Sequence, residues 1–133
     1  MTRVLVIDDE EDIRTVLREI LVRAGFEVEV ACTADEGLEY LRRQKADLVV
    51  TDVIMPGRDG VEAVYEIRME FPNTKIIVIS GGGNVAPQAY EPAAIKTSAY
   101  LASATAVGAD LTLTKPFDRQ EIVQAAKELT RSH

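Results

Sequence analysis

Five side chains able to handle a charged ligand stand at or just beyond the ends of short apolar runs. Asp8 and Asp9 follow Val4 to Ile7, Asp52 follows Leu48 to Val50, Ser80 follows Ile76 to Ile79, and Lys115 follows Leu111 to Leu113. Three carboxylates gathered in one place repel one another, so a cation is expected among them. A hard divalent ion with oxygen ligands meets that need, and Mg²⁺ is the usual choice where phosphate is handled. Lys115 would offer fixed positive charge to phosphoryl oxygens, and Ser80 one hydrogen bond. Asp52 is left as the nucleophile, because carboxylates form acyl phosphates. Metal and lysine together would neutralise the charge of the group in transfer. Each signal alone is ordinary: an Asp after a strand is commonly a turn residue or helix cap, and a Lys before Pro is commonly exposed. Turn chemistry does not explain their joint placement after four of the five apolar runs.

These residues converge only if the runs are neighbouring strands. Val4 to Ile7 and Ile76 to Ile79 are β-branched or Leu throughout, as strands covered on both faces of a parallel sheet are. Val28 to Ala31 is a weaker fifth run. Helical patterns alternate with the runs. Ile13, Leu17, Ile20, Leu21 and Ala24 recur at helical spacing before a stop at Gly25. Thr33 and Glu36 have capping-box spacing ahead of Leu38 and Leu41. Asp59 can cap a helix carrying Val61, Val64, Ile67 and Phe71, closed by Pro72. Asp118 and Glu121 repeat the box before Ile122, Ala125, Ala126 and Leu129. The alternation predicts one α/β domain over residues 1–133, a doubly wound parallel sheet with helices on both faces. In such sheets ligands bind beyond the carboxyl ends of the strands, where the five polar residues would meet. Gly81 to Gly83, Pro87 and Pro92 predict a long loop, then a marginal Ala-, Ser- and Thr-rich helix ending at Gly108. The span at about 81–108 is thus a lengthened loop and fourth helix.

Composition narrows the function. The chain has 133 residues, 47% hydrophobic and 28% charged, which suits a folded domain. Fifteen basic against twenty-two acidic residues leave a net charge of −7, which argues against a nucleic-acid surface. No apolar run approaches the roughly 18 residues of a membrane span, and the N-terminus lacks a signal-peptide layout. Cys32 is the single cysteine, so a reducing, cytoplasmic setting is expected, with Cys32 as a small packing residue. His133 is the single histidine and terminal, a poor phosphodonor. Gly81 to Gly83 lack the Gly-Lys-Ser/Thr of a phosphate loop.

At its polar residues the sequence resembles the receiver domains of two-component response regulators. Val6-Ile7-Asp8-Asp9-Glu10 is similar to that family's acidic pair after the first strand. Asp52-Val53-Ile54-Met55-Pro56, with Asp59-Gly60, is similar to its phosphoacceptor loop. Ser80 stands where the family has Ser or Thr, and Leu113-Thr114-Lys115-Pro116-Phe117 is similar to its lysine segment. The resemblance implies a flavodoxin-like sheet of strand order 2-1-3-4-5. It implies that a histidine kinase or histidine phosphotransfer protein passes a phosphoryl group from phosphohistidine to Asp52. Mg²⁺ would be held by Asp9 directly, by Asp8 largely through water, by Asp52 and by the backbone carbonyl of Ile54. Ser80 and Lys115 would grip the phosphoryl group, and the bond before Pro116 would be cis. Self-hydrolysis of the phosphoaspartate is the limited catalysis implied, without multiple turnover.

Two departures from the family pattern stand out. Thr112 occupies the position, three before the lysine, where the family usually has a switching Tyr or Phe. Ser80 and Lys115 are 35 positions apart, longer than usual, although the Gly-rich opening and Tyr100-Leu101 are similar to those of some stand-alone receivers. The enlarged stretch is either a tolerated surface loop or a partner-specific surface. Rival chemistries fit less well. A haloacid-dehalogenase-type phosphatase needs an acid two positions after its nucleophile, where Ile54 stands. A flavodoxin needs a hydroxyl- and Gly-rich loop where Asp8 to Asp12 would repel a flavin phosphate. A phosphorylation-independent binding module on the same fold is the remaining alternative, and Thr112 keeps it open. The chain ends after a fifth expected helix, where the receiver fold ends. A stand-alone receiver would dock to a protein target or relay the phosphoryl group, a receiver cut from a longer regulator would read the same, and dimerisation is unassigned.

Overall fold

The computed structural model describes residues 2–52, 60–80, 108–114 and 117–131. Five strands, β1 (Arg3–Ile7), β2 (Glu27–Ala31), β3 (Leu48–Asp52), β4 (Lys75–Ser80) and β5 (Leu111–Thr114), alternate with helices. Among the described residues these are α1 (Glu11–Arg23), α2 (Ala34–Arg43), α3 (Gly60–Glu70) and α4 (Arg119–Leu129). Every strand pair is parallel and the order is β2-β1-β3-β4-β5, as the resemblance implies.

Side-chain alternation along the strands builds two cores, one on each face of the sheet. Leu5 and Ile7 of β1, Val49 of β3 and Ile76 and Val78 of β4 pack with Leu38, Leu41, Val64 and Ile67 of α2 and α3. Val4, Val6, Leu48, Val50, Ile77 and Ile79 pack on the other face with Leu17 and Leu21 of α1 and Ile122, Ala125 and Ala126 of α4. β1, β3 and β4 are therefore apolar on both faces. The edge strand β2 exposes Glu27 and Glu29, charges that guard a free edge.

Helix boundaries follow local chemistry. α1 stops where Gly25 takes a φ of 100°, the left-handed turn expected there. Asp118 and Glu121 form the expected capping box, the Asp118 N–H donating to Glu121 Oε1 at 2.9 Å. At α2 the reciprocal box is modified. Thr33 Oγ1 accepts from the Glu36 N–H at 3.1 Å, but Glu36 Oε1 accepts from the N–H of Cys32 at 3.1 Å, one residue farther back. That turn leaves Cys32 exposed, not packed as expected. Asp59 and the stretch 81–107, where a cap, a loop and a helix are predicted, lie outside the described residues.

Two close contacts fix the layers. The Cβ of an alanine at Gly37 in α2 would lie 2.8 Å from Cγ1 of Ile7 and closer still to its Cδ1, so the missing side chain lets α2 settle onto the end of β1. Arg68 in α3 donates to the Gly108 carbonyl at 3.1 and 2.8 Å, to the Pro72 carbonyl at 2.9 Å and to Asp110 Oδ2 at 2.5 Å. Asp110 Oδ2 also accepts from the Ile76 N–H at 2.8 Å, and the Asp110 N–H donates to the Ile76 carbonyl at 2.8 Å. This clasp sets the entry of β5 against β4. Nearer the surface, Arg42 of α2 grips Glu70 of α3 at 2.6 and 2.9 Å, and this hydrogen-bonded pairing holds the Glu70 carboxyl below its ordinary range.

Gly37→Ala is expected to lose about 1 kcal/mol, the contact with Ile7 outweighing the gain in helix propensity. In an Ile7→Ala background, where both Cγ1 and Cδ1 are gone, the same change should be neutral or stabilising. Urea unfolding of the double-mutant cycle checks this, and strict additivity would contradict the contact. Arg68→Ala should lose about 2 kcal/mol, and Arg68→Lys should recover little, because only the planar fork reaches Gly108 and Asp110 together.

Candidate functional site

Polar residues can enter a sheet apolar on both faces only where its strands end. Among the described residues, the buried polar or charged side chains are Asp8, Thr51, Asp52 and Thr74. Thr74 belongs to the amino edge of the sheet, where its hydroxyl donates to the Ala46 carbonyl at 3.1 Å. The other three sit together at the carboxyl edge of the adjacent strands β1 and β3, with exposures of 2% for Asp8, 1% for Thr51 and 4% for Asp52. Ile7 pairs with Thr51, so Asp8 and Asp52 are the next residues on neighbouring strands. By alternation Asp8 continues the row of Val4 and Val6, and Asp52 that of Leu48 and Val50. Both carboxylates therefore belong to the face covered by α1 and α4. Burying carboxylates is costly without hydrogen bonds, ion pairs or a metal to compensate.

The turn from β1 into α1 is built around Asp8. Its N–H donates to the Ala31 carbonyl at 3.1 Å and extends the β1–β2 ladder by one residue. Its Oδ1 accepts from the Glu10 N–H at 2.9 Å, and its carbonyl accepts from Arg14 Nη1 at 2.8 Å. Glu10 occupies the N-cap position of α1 but makes no side-chain capping bond. One carboxylate oxygen from each of Asp8, Asp9 and Glu10 lies within 4.8 Å of the others. The donors are hard oxygens, suited to a divalent cation. Asp8 and Asp9 are expected ligands. Glu10 is an addition, for which the sequence offers only its adjacency. Asp52, expected as the third carboxylate, is not part of this group, although it terminates the neighbouring strand.

Register locates the rest. Asp52 pairs with Ile79, so Ser80 is the next position along β4, and Ser80 pairs with Thr114, the residue before Lys115. Thr51 is a site residue with no sequence signal of its own: buried beside Asp52, its hydroxyl donates to the Asp52 carbonyl at 3.1 Å. Thr112 pairs with Val78, half-buried on the face that carries α2 and α3. Ile54, Lys115 and Pro116 lie outside the described residues, as does His133. No described helix is long and apolar enough to cross a membrane.

Comparison with known proteins adds to this geometry. The sequence profile of the response regulator receiver domain matches residues 4–127. The chemotaxis protein CheY of Thermotoga maritima is 32% identical over 130 residues, which span 97% of this chain and 98% of that protein. The transcriptional regulatory protein ResD of Bacillus subtilis is 33% identical over 132 residues, 98% of this chain but 48% of ResD. In structure, the receiver domain of NtrX from Brucella abortus matches with a TM-score of 0.81 at 30% identity, covering 98% of this chain and 99% of that one. TrrA from Thermotoga maritima, a response regulator solved in complex with Mg²⁺-BeF, matches with a TM-score of 0.75 at 31% identity over 97% and 99% of the two chains. With carboxylates buried at the end of β1 and β3, strand order 2-1-3-4-5, and relatives matching over nearly its whole length, the chain belongs to the response regulator receiver family, the signalling modules of two-component systems.

Proposed function

We propose that this chain, acting as one receiver domain over residues 1–133, accepts a phosphoryl group on Asp52 and signals by phosphorylation-dependent docking or onward transfer. The observation that carries this reading is the burial of Asp8, Thr51 and Asp52 together at the carboxyl edge of β1 and β3, strands otherwise apolar on both faces. In the transfer an Asp52 carboxylate oxygen attacks phosphorus, an O–P bond forms, and the P–N bond to the donor imidazole breaks. The electron pair returns to that nitrogen, which leaves as histidine. The donor is a histidine kinase or a histidine phosphotransfer protein.

The residues present fit a divalent cation, since Asp8, Asp9 and Glu10 converge with oxygen donors only. Asp8, Asp9, Asp52 and the Ile54 carbonyl would hold Mg²⁺, with Glu10 at the rim. When bound, the ion neutralises charge on the phosphoryl oxygens. The Mg²⁺-BeF complex of TrrA supports this choice by analogy. Ser80 would donate a hydrogen bond to the phosphoryl group and Lys115 would offset its charge. Ile54, two positions after Asp52, carries no proton, so rapid self-hydrolysis is not expected. A phosphorylation-independent binding module is the second reading. It is favoured by Thr112, which gives β5 no aromatic to rotate toward an engaged Ser80.

Incubation with a small-molecule phosphodonor and Mg²⁺ should add one phosphoryl group by intact mass spectrometry. Asp52→Asn or chelation should abolish it, and undiminished labelling of Asp52→Asn would move the acceptor elsewhere. A target protein bound equally by phosphorylated and unphosphorylated chain would favour the second reading.

A further inference from the structure

We infer that Arg14 is a positioning residue for the cation cluster, holding Asp8, Asp9 and Glu10 convergent before any ion arrives. This rests on the reading of those carboxylates as the metal end of the phosphoacceptor site.

Arg14 stands in the opening turns of α1, where a positive charge is disfavoured by the helix dipole and where Glu11 and Asp12 conform to it. The side chain is half-buried and turns back along the chain, Nη1 donating to the Asp8 carbonyl at 2.8 Å. Three links then close a ring. The Glu10 N–H binds Asp8 Oδ1 at 2.9 Å, the Arg14 N–H binds the Glu10 carbonyl at 3.1 Å, and the Arg14 guanidinium returns to Asp8. The ring encloses the segment that bears all three carboxylates. Glu10 does not cap α1, so the geometry of this turn depends on the ring in place of a capping side chain.

Like charges within 4.8 Å spread apart unless their backbone is fixed. A loop free to spread must be gathered again by the arriving ion, at the expense of affinity. The demand is steeper for Mg²⁺, which requires near-octahedral geometry, than for Ca²⁺, which accepts looser shells. A purely electrostatic role for Arg14 would act in the opposite direction, because removing a cation from an acidic pocket favours both ions.

The test is titration of the purified full chain with Mg²⁺ and separately with Ca²⁺, followed by amide NMR shifts of residues 8–10. Arg14→Ala is expected to raise the Kd for Mg²⁺ by about tenfold, the order found when groups supporting metal ligands are removed. The Kd for Ca²⁺ should rise much less. Arg14→Lys, which can still donate to one carbonyl, should recover part of the loss. Arg14→Met keeps the aliphatic stem and replaces the alanine variant if truncation unfolds the domain. Tighter Mg²⁺ binding in Arg14→Ala, equal losses for the two ions, or no change while the wild type binds would each overturn the inference alone. A wild type that binds no Mg²⁺ would overturn the phosphoacceptor reading and this inference with it.

Discussion

β1 and β3 have no solvent-facing side. Leu5, Ile7 and Val49 are needed by α2 and α3, while Val4, Val6, Leu48 and Val50 are needed by α1 and α4. A polar side chain within either strand would leave one core with an unpaired group in an apolar setting, so polarity is postponed to the strand ends. In a parallel sheet those ends lie on one edge. The in-register pairing of Ile7 with Thr51 brings Asp8 and Asp52 out at the same level, and helix packing on both faces keeps them from solvent. Concentrated negative charge at this edge is thus a direct consequence of covering the sheet twice. It is also what makes a divalent cation a suitable occupant.

That constraint explains why so much was legible in the sequence. Strands buried on both sides read as unbroken apolar runs, and Asp8, Asp52 and Ser80 at their ends stand out against them. Gly25 and the Asp118–Glu121 box announce helix boundaries through local chemistry alone. What stayed hidden depends on contacts between residues distant in sequence, or on geometry within a turn. Nothing about Arg68 marks it as the residue that ties α3 to Gly108 and Asp110. Glu10 and Arg14 look like ordinary surface charges until the turn is folded. Cys32 is exposed at a turn where Glu36 caps one residue farther back than the motif suggests. Thr51 reads as part of a strand, and its place beside Asp52 follows from register.

Thr112 bears on how a signal leaves the site. It shares a face and a register position with Val78, one row below the pairing of Asp52 with Ile79. A β-branched hydroxyl there is small and stiff at χ1, so it would have little volume to redistribute under the proposed engagement of Ser80. In the proposed reading, capture of a phosphoryl group and its transmission would therefore be separable properties of this domain. The first rests on the edge of β1 and β3, the second on what lies beyond β4.

The Arg68 clasp has a consequence for chain length. It pins the return of the chain at Gly108 and Asp110 on the amino edge of the sheet, while Ser80 leaves from the carboxyl edge, so the two anchors are separated by one strand length. That span, roughly 20 Å for a six-residue strand, needs only a handful of extended residues to cross, and 27 residues (81–107) are supplied. With both ends fixed independently of what joins them, doubling the connection costs only about 0.6 kcal/mol of closure entropy. Insertions and deletions between these anchors can accumulate during divergence without shifting the register that aligns Asp52, Ser80 and Thr114. The segment can therefore be remodelled for new recognition while the chemistry beside it stays in place.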